Sequence, residues 1–455
     1  MSSAVDPRAS RSRFVCSEQS DHFEAELTEV VYRCPRCGAL LAVAHDLDAL
    51  RKSSASEWKE LFARRQAEVR LPFASGVWAK KEWVYPELPL EQIVSLGEGH
   101  SPLLPLPRLA GELSLGEVCL KQCGISATAS FKDLGMTVLV SAVNRMRALG
   151  RPIRAIVCAS TGDTSAALAA YCAAAAIPSV VFLPKDKVSL SQLLQPIANG
   201  ALVASLETDF DGCMRVVQEV ARDHSFYLAN SLNSLRIEGQ KTVGVELCQQ
   251  LGWDSPDWIV IPGGNLGNAT ALGLGLQMML DLGLIDRRPR IAVAQARAAN
   301  PLYRAFRTGF ADVHPITAAT TLASAIQIGD PVSMRRAIDV LRRFDGVVEE
   351  ASESELANAA ARADREGAFA CPQTGVALAA LCKLAAAGTI RRGSRVVVLS
   401  TAHGLKFPDF KSGYHRRELP NVDSELANAP LELPPDARAV LDALHRWLDP
   451  APRVG

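Results

Sequence analysis

The sequence predicts an α/β protein in which helices cover both faces of a parallel sheet. From about residue 153 onward, short apolar runs alternate regularly with helical segments. Runs such as "IRAIVCAS", "SVVFLP" and "RVVVLSTA" are apolar throughout, which is typical of strands buried on both faces. The chain has 455 residues, of which 48% are hydrophobic, so it is long enough for a large core and more than one domain.

The two ends of the chain differ from this alternating region. Residues 15–90 carry aromatic and charged side chains but few strand-like runs, so we expect an extension that wraps the main body. After about Tyr414 the chain is polar, with one amphipathic helix candidate in "PPDARAVLDALHRWLD". The elements predicted between the two ends are, in order, a strand at "IRAIVCAS", a helix from Ser165 to Ala176, a strand at "SVVFLP", a helix at "LSQLLQPIA", a strand at "ALVASLE", a helix at "DGCMRVVQEVARDH", a strand at "FYLANS", a helix from Leu235 to Leu251, a strand at "DWIVIPGG", a helix near Leu266 to Leu284, and strands at "RIAVAQA" and "RVVVLSTA".

Composition excludes several classes of partner. Lysine plus arginine equals aspartate plus glutamate at 49 each, so no net field favours nucleic acid or a membrane surface. No apolar run approaches the roughly 20 residues of a membrane span. The start, "MSSAVDPRASRSRF", lacks the apolar core of a secretory signal and predicts a disordered leader. The 11 scattered cysteines indicate a reducing compartment, and we expect the cytoplasm.

Four loops combine small residues with hydroxyl or amide side chains, and each follows or adjoins an apolar strand. In open α/β sheets, ligands bind at the carboxyl ends of the strands, and free backbone amides at helix starts there favour anions. Each loop also has an ordinary explanation as a helix cap, a turn, a surface arginine or a strand end. The loops are "ASTGDTSAA" with Ser160, Thr161, Asp163 and Thr164; "ANSLNSLRIEGQKT" with Asn230, Ser231 and Arg236; "PGGNLGN" from Pro262 to Asn268; and "VVVLSTAHGLKF" with Thr401.

Lys132 stands in "SATASFKDLGMTV", a stretch that otherwise looks buried. One interpretation is a lysine whose stem is buried and whose ammonium reaches water. The other is a nucleophilic amine that binds a cofactor aldehyde. A lysine, a glycine-rich turn for a phosphate and a hydroxyl for a ring nitrogen are together what pyridoxal phosphate (PLP) requires.

Several motifs resemble those of the PLP-dependent threonine synthases, especially the plant-type branch. They include "SFKDLGMTVLVS", "CASTGDTSAALAAYCA", "LANSLNSLRIEGQKT", "PGGNLGN", "CPQTGVAL" and "STAHGLKF", and the resemblance runs from about Tyr32 to about Lys411. It implies PLP fold type II, shared with the tryptophan synthase β subunit, in which two α/β domains enclose the cofactor. The ranges we expect are a disordered leader at 1–30, an extension with a C-x-x-C knuckle at 31–95, a large domain at 96–152 and 246–415, a small domain at 153–245 and a tail at 416–455.

The resemblance also implies an activity and roles for individual residues. The expected reaction converts O-phospho-L-homoserine and water to L-threonine and phosphate, in a homodimer that binds neither nucleic acid nor membrane. Lys132 is the implied catalytic lysine, to which the cofactor attaches. The other implied cofactor residues are Asp163, Gly264, Asn265, Leu266, Gly267, Asn268 and Thr401. The implied substrate residues are Ser160, Thr161 and Thr164 for the carboxylate, and Asn230, Ser231 and Arg236 for the phosphate.

The chain departs from the family beside the catalytic lysine. Where the plant-type pattern has His-Thr-Gly-Ser, this sequence has Ala127, Thr128, Ala129 and Ser130. If the family's glycine has a positive φ, Ala129 is strained. This leaves open a related enzyme that acts on O-phosphoserine with sulfite, as a cysteate synthase does. A non-catalytic homologue with a binding role is the alternative from another class. Activation by S-adenosylmethionine, as in plant relatives, is also open.

The pair Cys34 and Cys37 in "YRCPRCGALL" has the spacing of a zinc knuckle. A structural zinc ion requires four ligands, and the upstream partners would be Cys16 and His22, whose spacing is unusual for one arm of a site. The sequence therefore favours a knuckle that keeps its turn without metal. On this reading the protein contains well under one zinc ion per chain.

Overall fold

The computed structural model describes residues 11–160, 162–185 and 190–448, with the side chains of 190–192 left out. In this part of the chain the strands form three sheets, one antiparallel and two mainly parallel, which confirms the predicted α/β class. None of the helices in the described ranges is long and apolar enough to cross a bilayer. The strands are β1 (Ser12–Cys16), β2 (Glu24–Glu26), β3 (Leu41–His45), β4 (Leu103–Pro105), β5 (Glu117–Gln122), β6 (Ala155–Ala159), β7 (Ser179–Pro184), β8 (Leu202–Leu206), β9 (Phe226–Leu228), β10 (Trp258–Pro262), β11 (Arg290–Ala296), β12 (Val347–Ala351) and β13 (Arg395–Ser400).

Helices follow most of the parallel strands, as the alternation in the sequence predicts. They are α1 (Leu47–Leu50), α2 (Ala55–Gln66), α3 (Lys81–Val84), α4 (Pro107–Glu112), α5 (Lys132–Ala148), α6 (Asp163–Ala174), α7 (Leu190–Ala198), α8 (Phe210–Val220), α9 (Leu235–Gln240), α10 (Thr242–Gln250), α11 (Gly267–Asp281), α12 (Pro301–Arg307), α13 (Met334–Arg343), α14 (Glu353–Asp364), α15 (Pro372–Ala386), α16 (Pro408–Arg416) and α17 (Ala437–Leu448).

The larger parallel sheet has the strand order β12-β11-β10-β13-β5-β4, with only β4 antiparallel to its neighbour. Its central strand β10 is buried along its whole length. Val260 joins the core cluster that contains Val376 of α15, whereas Ile259 and Ile261 join the cluster that contains Leu272 of α11. Because successive residues of a strand point to opposite faces, covering both faces requires the continuous apolar runs seen in the sequence.

The smaller parallel sheet has the order β8-β7-β6-β9. Its central strand β6 is buried on both faces, as the run "AIVCA" predicts. The carboxyl ends of β6 and β9 lead into α6 and α9, while those of β5 and β10 in the larger sheet lead into α5 and α11. The loops at these four strand ends, together with Thr401 after β13, line the candidate site.

The N-terminal segment differs from its prediction. A disordered leader was expected over residues 1–30, but residues 11–30 contain β1 and β2, which form an antiparallel sheet with β3 in the order β2-β1-β3. Phe14 and Cys16 are buried in the same core cluster as Leu41, so a short strand gains enough apolar contact to stay ordered. Residues 1–10 lie outside the described part of the chain.

The single helix predicted from Leu235 to Leu251 is divided into α9 and α10. At the division the Thr242 hydroxyl donates to the Gly239 carbonyl at 2.7 Å, a side-chain bond of the kind that competes with helix continuation. Gly239 also allows α9 to touch α5, since a Cβ there would lie 1.6 Å from the Leu134 carbonyl oxygen. This close approach brings α9 beside the start of α5.

We expect Gly239→Ala to destabilise the protein by about 3 kcal/mol, because the added methyl group must push α9 away from backbone atoms of α5. Urea denaturation followed by circular dichroism measures this loss. The matched control is Gly111→Ala in α4, where an added Cβ meets no atom within 4 Å, and alanine's helix preference should give a small gain. Equal stability of the two variants would contradict the proposed close packing.

Candidate active site

Lys132 is the first residue of α5 and lines a cleft between the two parallel sheets. Its ammonium lies 4.2 Å from the centroid of the Phe131 ring. The pKa of Lys132 is lowered to about 7, first by burial and then by the positive charge of Arg236, while Asp163 acts in the opposite direction. A substantial fraction of the side chain is therefore the free amine near neutral pH, as a nucleophile or base requires.

The loop before Lys132 is tied to the end of β13. The Phe131 amide donates to the Thr401 carbonyl at 2.9 Å, and the His403 amide donates to the Ala129 carbonyl at 3.0 Å. Asp133, which is fully buried, accepts hydrogen bonds from the amide and the hydroxyl of Thr128. These contacts place Thr401 opposite Lys132 in the cleft.

Ala129 has φ 59°, a left-handed conformation that costs a residue with a Cβ about 1–2 kcal/mol. We expect Ala129→Gly to stabilise the protein by about 1 kcal/mol, after allowance for the larger chain entropy of glycine. Thermal or urea unfolding measures the change. Ala176→Gly, at φ 52°, should give a similar gain, whereas Ala175→Gly, at φ −90°, should lose stability. A lower stability of Ala129→Gly than of the wild type would show that Ala129 is not strained.

The turn after β10 forms the second wall of the cleft. Gly264, Asn265, Leu266, Gly267 and Asn268 all line it. Leu266 has φ 63°, and α11 begins at the next residue, so the free amides of a helix start face the cleft wall. A Cβ on Gly267 would make only ordinary van der Waals contacts, at 3.7 Å from Ile237 and 3.9 Å from Ser333. The turn therefore leaves room for an anion against the backbone.

Arg236 is a buried cation that lines the same cleft. It is 4% exposed, and its guanidinium donates to the Ala229 carbonyl at 3.1 Å and to the Thr164 hydroxyl at 3.4 Å. Its Nε has no hydrogen-bond partner, and no carboxylate of the described ranges is within 4.0 Å of it. Burial lowers the pKa of Arg236 to about 10. A buried charge without a counterion is costly, so the site is built to receive an anion.

Asp163 is the first residue of α6 and lines the same cleft. It forms an ion pair with Lys406 at 3.1 Å, and Lys406 also donates to the Thr128 carbonyl at 2.9 Å. This lysine links the loop before Lys132 to α6. Sequence reasoning missed Lys406, although it lies in the motif "STAHGLKF".

Gln373 is a second residue that sequence reasoning missed. It is 2% exposed and lines the cleft. Both polar atoms of its amide lack hydrogen-bond partners within the described residues. An amide left open in this way is suited to a polar ligand. Gln373 lies in "CPQTGVAL", a motif that resembles the family, and this position was the sequence feature that could have identified it.

Not every predicted residue reaches the cleft. Ser231 lines the cleft. The Asn230 side chain instead bonds the backbone of Ala159: its oxygen accepts from the Ala159 amide at 3.0 Å, and its nitrogen donates to the Ala159 carbonyl at 2.8 Å. The Ser160 hydroxyl accepts from the amides of Gly162 and Ser165, both at 3.2 Å, and thus caps the start of α6. Thr164 contacts Arg236, and Thr161 lies outside the described residues.

The geometry and a family comparison together define the class of protein. An amine with a lowered pKa, a glycine turn with space for an anion, and open polar atoms on Gln373 and Arg236 fit a phosphorylated aldehyde cofactor. Residues 94–402 match the family described as "Pyridoxal-phosphate dependent enzyme". The chain is therefore a PLP-dependent enzyme.

Individual relatives narrow this class. The chain is 53% identical over 424 residues to threonine synthase 2, chloroplastic, of Arabidopsis thaliana, covering 93% of this chain and 82% of the relative. It is 38% identical over 385 residues to threonine synthase of Methanocaldococcus jannaschii, covering 84% of this chain and 91% of the relative. The chain belongs to the threonine synthase family of PLP-dependent lyases.

Solved structures agree with the fold. Threonine synthase from Escherichia coli matches with a TM-score of 0.66 at 19% identity, over 96% of this chain and all (100%) of that one. Maize serine racemase matches with a TM-score of 0.59 at 17% identity, over 70% of this chain and 92% of that one. These similarities confirm the predicted fold type II.

The lowered pKa of Lys132 predicts a pH dependence of stability in the cofactor-free protein. The folded pKa is about 7, and the unfolded pKa is about 10.4. Between these values the unfolded chain binds more protons, so the free energy of unfolding of the wild type should rise with pH relative to Lys132→Met. Urea denaturation of both cofactor-free proteins at about pH 7 and about pH 9 measures the difference. A difference that does not change with pH would contradict the lowered pKa.

Proposed function

We propose that the protein converts O-phospho-L-homoserine and water to L-threonine and inorganic phosphate. The observation that carries this proposal is Arg236, a buried guanidinium that has no carboxylate partner among the described residues and lines the same cleft as Lys132. The glycine turn between Gly264 and Asn268 lines the same cleft, and the free amides at the start of α11 suit a second anion. Two anion sites and one amine suit a phosphorylated cofactor together with a phosphorylated amino acid.

The residues that would hold PLP follow from their positions in the cleft. Lys132 would bind the aldehyde, and the amides of Gly264 to Asn268 would hold the cofactor phosphate. Thr401 would meet the pyridine nitrogen without adding charge, and Asp163, paired with Lys406, would lie along the ring. Bound PLP supplies an electron sink for negative charge that develops at the substrate Cα.

Side chains of this protein carry out the proton transfer at Cα and bind the substrate phosphate. The Lys132 amine removes the proton from the substrate Cα and later returns it, for which a pKa near neutrality is suited. Arg236 and Ser231 hold the substrate phosphate and keep hold of it when the bond from Cγ to the ester oxygen breaks. A proton leaves Cβ as the phosphate departs from Cγ with the electron pair of the broken bond. Water then supplies the hydroxyl group at Cβ, and protons are added at Cγ and Cα, so that threonine and one phosphate leave.

The remaining substrate residues receive different roles in this proposal. Thr164 both contacts Arg236 and stands at the start of α6, where the substrate carboxylate would meet free amides. Ser160 and Thr161 belong to the same loop. Asn230 would act indirectly, because its amide fixes the end of β6 to the loop that carries Ser231.

Product analysis of the purified enzyme tests the proposed reaction. We expect threonine and phosphate in equal amounts from O-phospho-L-homoserine. O-phosphoserine with sulfite is the matched alternative substrate, since it presents the same phosphate to Arg236 with a chain one carbon shorter. Cysteate formed from that pair, with no threonine from phosphohomoserine, would overturn the proposal. Absence of turnover with both would favour a non-catalytic homologue. Each assay is repeated with S-adenosylmethionine, because an activator would appear only in that arm.

We propose in addition that the enzyme is a cytoplasmic homodimer. In the described chain all 11 cysteines are free, which suits a reducing compartment, although the Arabidopsis relative is named as chloroplastic. Leu441, Leu444 and Trp447 are exposed on α17, with Trp447 at 74%, so this helix face suits a subunit contact. Light scattering after size exclusion measures the mass, and a monomer at micromolar concentration would contradict the dimer.

A further inference from the structure

Four metal-binding side chains meet at one edge of the N-terminal sheet. Cys16 ends β1, His22 lies in the connection to β2, and Cys34 and Cys37 lie in the turn before β3. One ligand atom from each of the four lies within 4.8 Å of each of the others. The fold therefore brings together four possible metal ligands, although their spacing in the sequence did not indicate a complete site.

The turn that carries Cys34 and Cys37 has the backbone geometry of a zinc knuckle. Arg33 and Leu40 form a β-bridge that closes it, and the Cys34 amide donates to the Ala39 carbonyl at 2.8 Å. Gly38 has φ 72°, a conformation that glycine adopts without strain. The Gly38 amide also donates to the Cys34 carbonyl at 2.9 Å, so backbone hydrogen bonds hold the two cysteines in one tight turn.

The distances suit one tetrahedral ion. Zn–S bonds of about 2.3 Å at a tetrahedral angle place two sulfur atoms roughly 3.8 Å apart. The sulfur atoms of Cys16 and Cys37 are 3.4 Å apart and are not joined in a disulfide. The Nδ1 atom of His22 is buried and has no hydrogen-bond partner in the described part of the chain. Three thiols and an unsatisfied imidazole are soft ligands of the type that selects zinc.

We propose that Cys16, His22, Cys34 and Cys37 bind one Zn²⁺ ion as a structural Cys₃His site. This replaces the expectation of a metal-free knuckle, which followed from the single upstream cysteine and from the unusual C-x₅-H spacing. That spacing is accommodated because β1 and β2 form a hairpin: Val15 pairs with Glu24, and the Cys16 amide bonds the Phe23 carbonyl at 3.3 Å. The hairpin connection thus returns His22 to the end of β1. Four protein ligands leave no open position for catalysis.

The position of the site suggests what the ion holds in place. β3 follows the knuckle directly, and the Leu41 carbonyl accepts hydrogen bonds from Ser234 and, at 3.3 Å, from Arg336. The Tyr32 hydroxyl accepts from the Leu228 amide at 2.8 Å. Ser234 is the residue before α9, which carries Arg236. Zinc would therefore fix the sheet that supports the substrate side of the cleft, while the cofactor side stays independent of it.

Metal analysis of untagged holoenzyme, purified with reductant and without chelator, tests the proposal. We expect about one zinc ion per chain in the wild type and below about 0.1 in Cys34→Ser and Cys16→Ser. The matched control is Cys382→Ser, a free and partly exposed thiol outside the cluster, which should keep its zinc. A wild type that stays nearly zinc-free after incubation with zinc and reductant would overturn the proposal, and so would a zinc ion that persists in Cys16→Ser.

Spectroscopy on the wild type keeps the test independent of variant folding. X-ray absorption should show three sulfur atoms and one nitrogen around zinc, and Co²⁺ exchanged into the site should give thiolate charge-transfer and tetrahedral d–d bands. Chelation should lower the unfolding temperature but leave the cofactor absorbance at Lys132 unchanged. Octahedral oxygen coordination, or a Cys16–Cys37 disulfide found by mass spectrometry of the reduced preparation, would refute the assignment.

Discussion

Lys132→Ala should lose the absorbance of lysine-bound cofactor and nearly all turnover. Lys132 is both the attachment point for the cofactor and the base that moves the Cα proton in the proposed reaction. Acid–base catalysis alone contributes about 10²–10⁴-fold, so we expect turnover to fall by at least that factor. Absorbance spectra and a coupled phosphate assay measure the two effects. A variant that stays active would eliminate Lys132 as the catalytic lysine.

Lys80 is the matched control for this experiment. It is fully buried, and its pKa is lowered to about 8, chiefly by burial. Its ammonium donates to the Gly76 carbonyl at 3.0 Å, and it does not line the cleft. Lys80→Met should therefore keep the absorbance and the turnover per folded molecule. Partial rescue of Lys132→Ala by added ethylamine would separate loss of the amine from loss of the fold.

Arg236→Ala should raise KM for O-phospho-L-homoserine by about 10–150-fold while cofactor binding stays nearly intact. A hydrogen bond to a charged group contributes about 1.5–3 kcal/mol, which corresponds to that range. The substitution should affect the substrate phosphate and not the cofactor phosphate, because Arg236 lies in α9 whereas the glycine turn precedes α11. Steady-state kinetics and PLP titration measure the two affinities. Equal losses of both would show that Arg236 is only structural.

Arg336 is the matched control for Arg236. Burial lowers the pKa of both guanidinium groups to about 10, but Arg336 bonds Ser333 at 2.9 Å and lies outside the cleft. Arg336→Ala should leave KM unchanged. Inorganic phosphate gives a second readout, since binding to the folded state raises the unfolding temperature. We expect phosphate to stabilise the wild type and Arg336→Ala but to lose that effect in Arg236→Ala. Stabilisation that persists in Arg236→Ala would place the anion elsewhere.

Local patterns were enough to predict the four strands of the smaller parallel sheet and β10, β11 and β13 of the larger one, but they did not indicate β4, β5 or β12. The runs that became β6, β10 and β13 are apolar throughout because helices cover both of their faces. The loop after β10 was predictable as an anion site because glycines and a helix start are adjacent in the chain. These features depend on neighbours in sequence, so a sequence shows them directly.

Long-range contacts explain what sequence reasoning missed. Gln373 of α15 lines the cleft, and Lys406, in the segment after β13, pairs with Asp163, which lines the cleft. Both contacts join segments that are distant in the chain. Asn230 was expected at the substrate but is engaged by β6 instead. The close approach of α9 to α5 likewise depends on a long-range contact, because any Cβ at Gly239 would clash with the Leu134 carbonyl of α5.

The sequence by itself determined the α/β class, the alternating elements, the catalytic lysine candidate and the four ligand loops, because each rests on periodicity or on residues that are adjacent in the chain. The tertiary structure decided which side chains share one cleft. It left Arg236 buried without a carboxylate partner among the described residues and brought Cys16 and His22 to the Cys34–Cys37 turn. Those outcomes depend on strand pairing and helix contacts between distant segments, and the spacing of residues in a chain does not encode the distance between segments that only folding brings together.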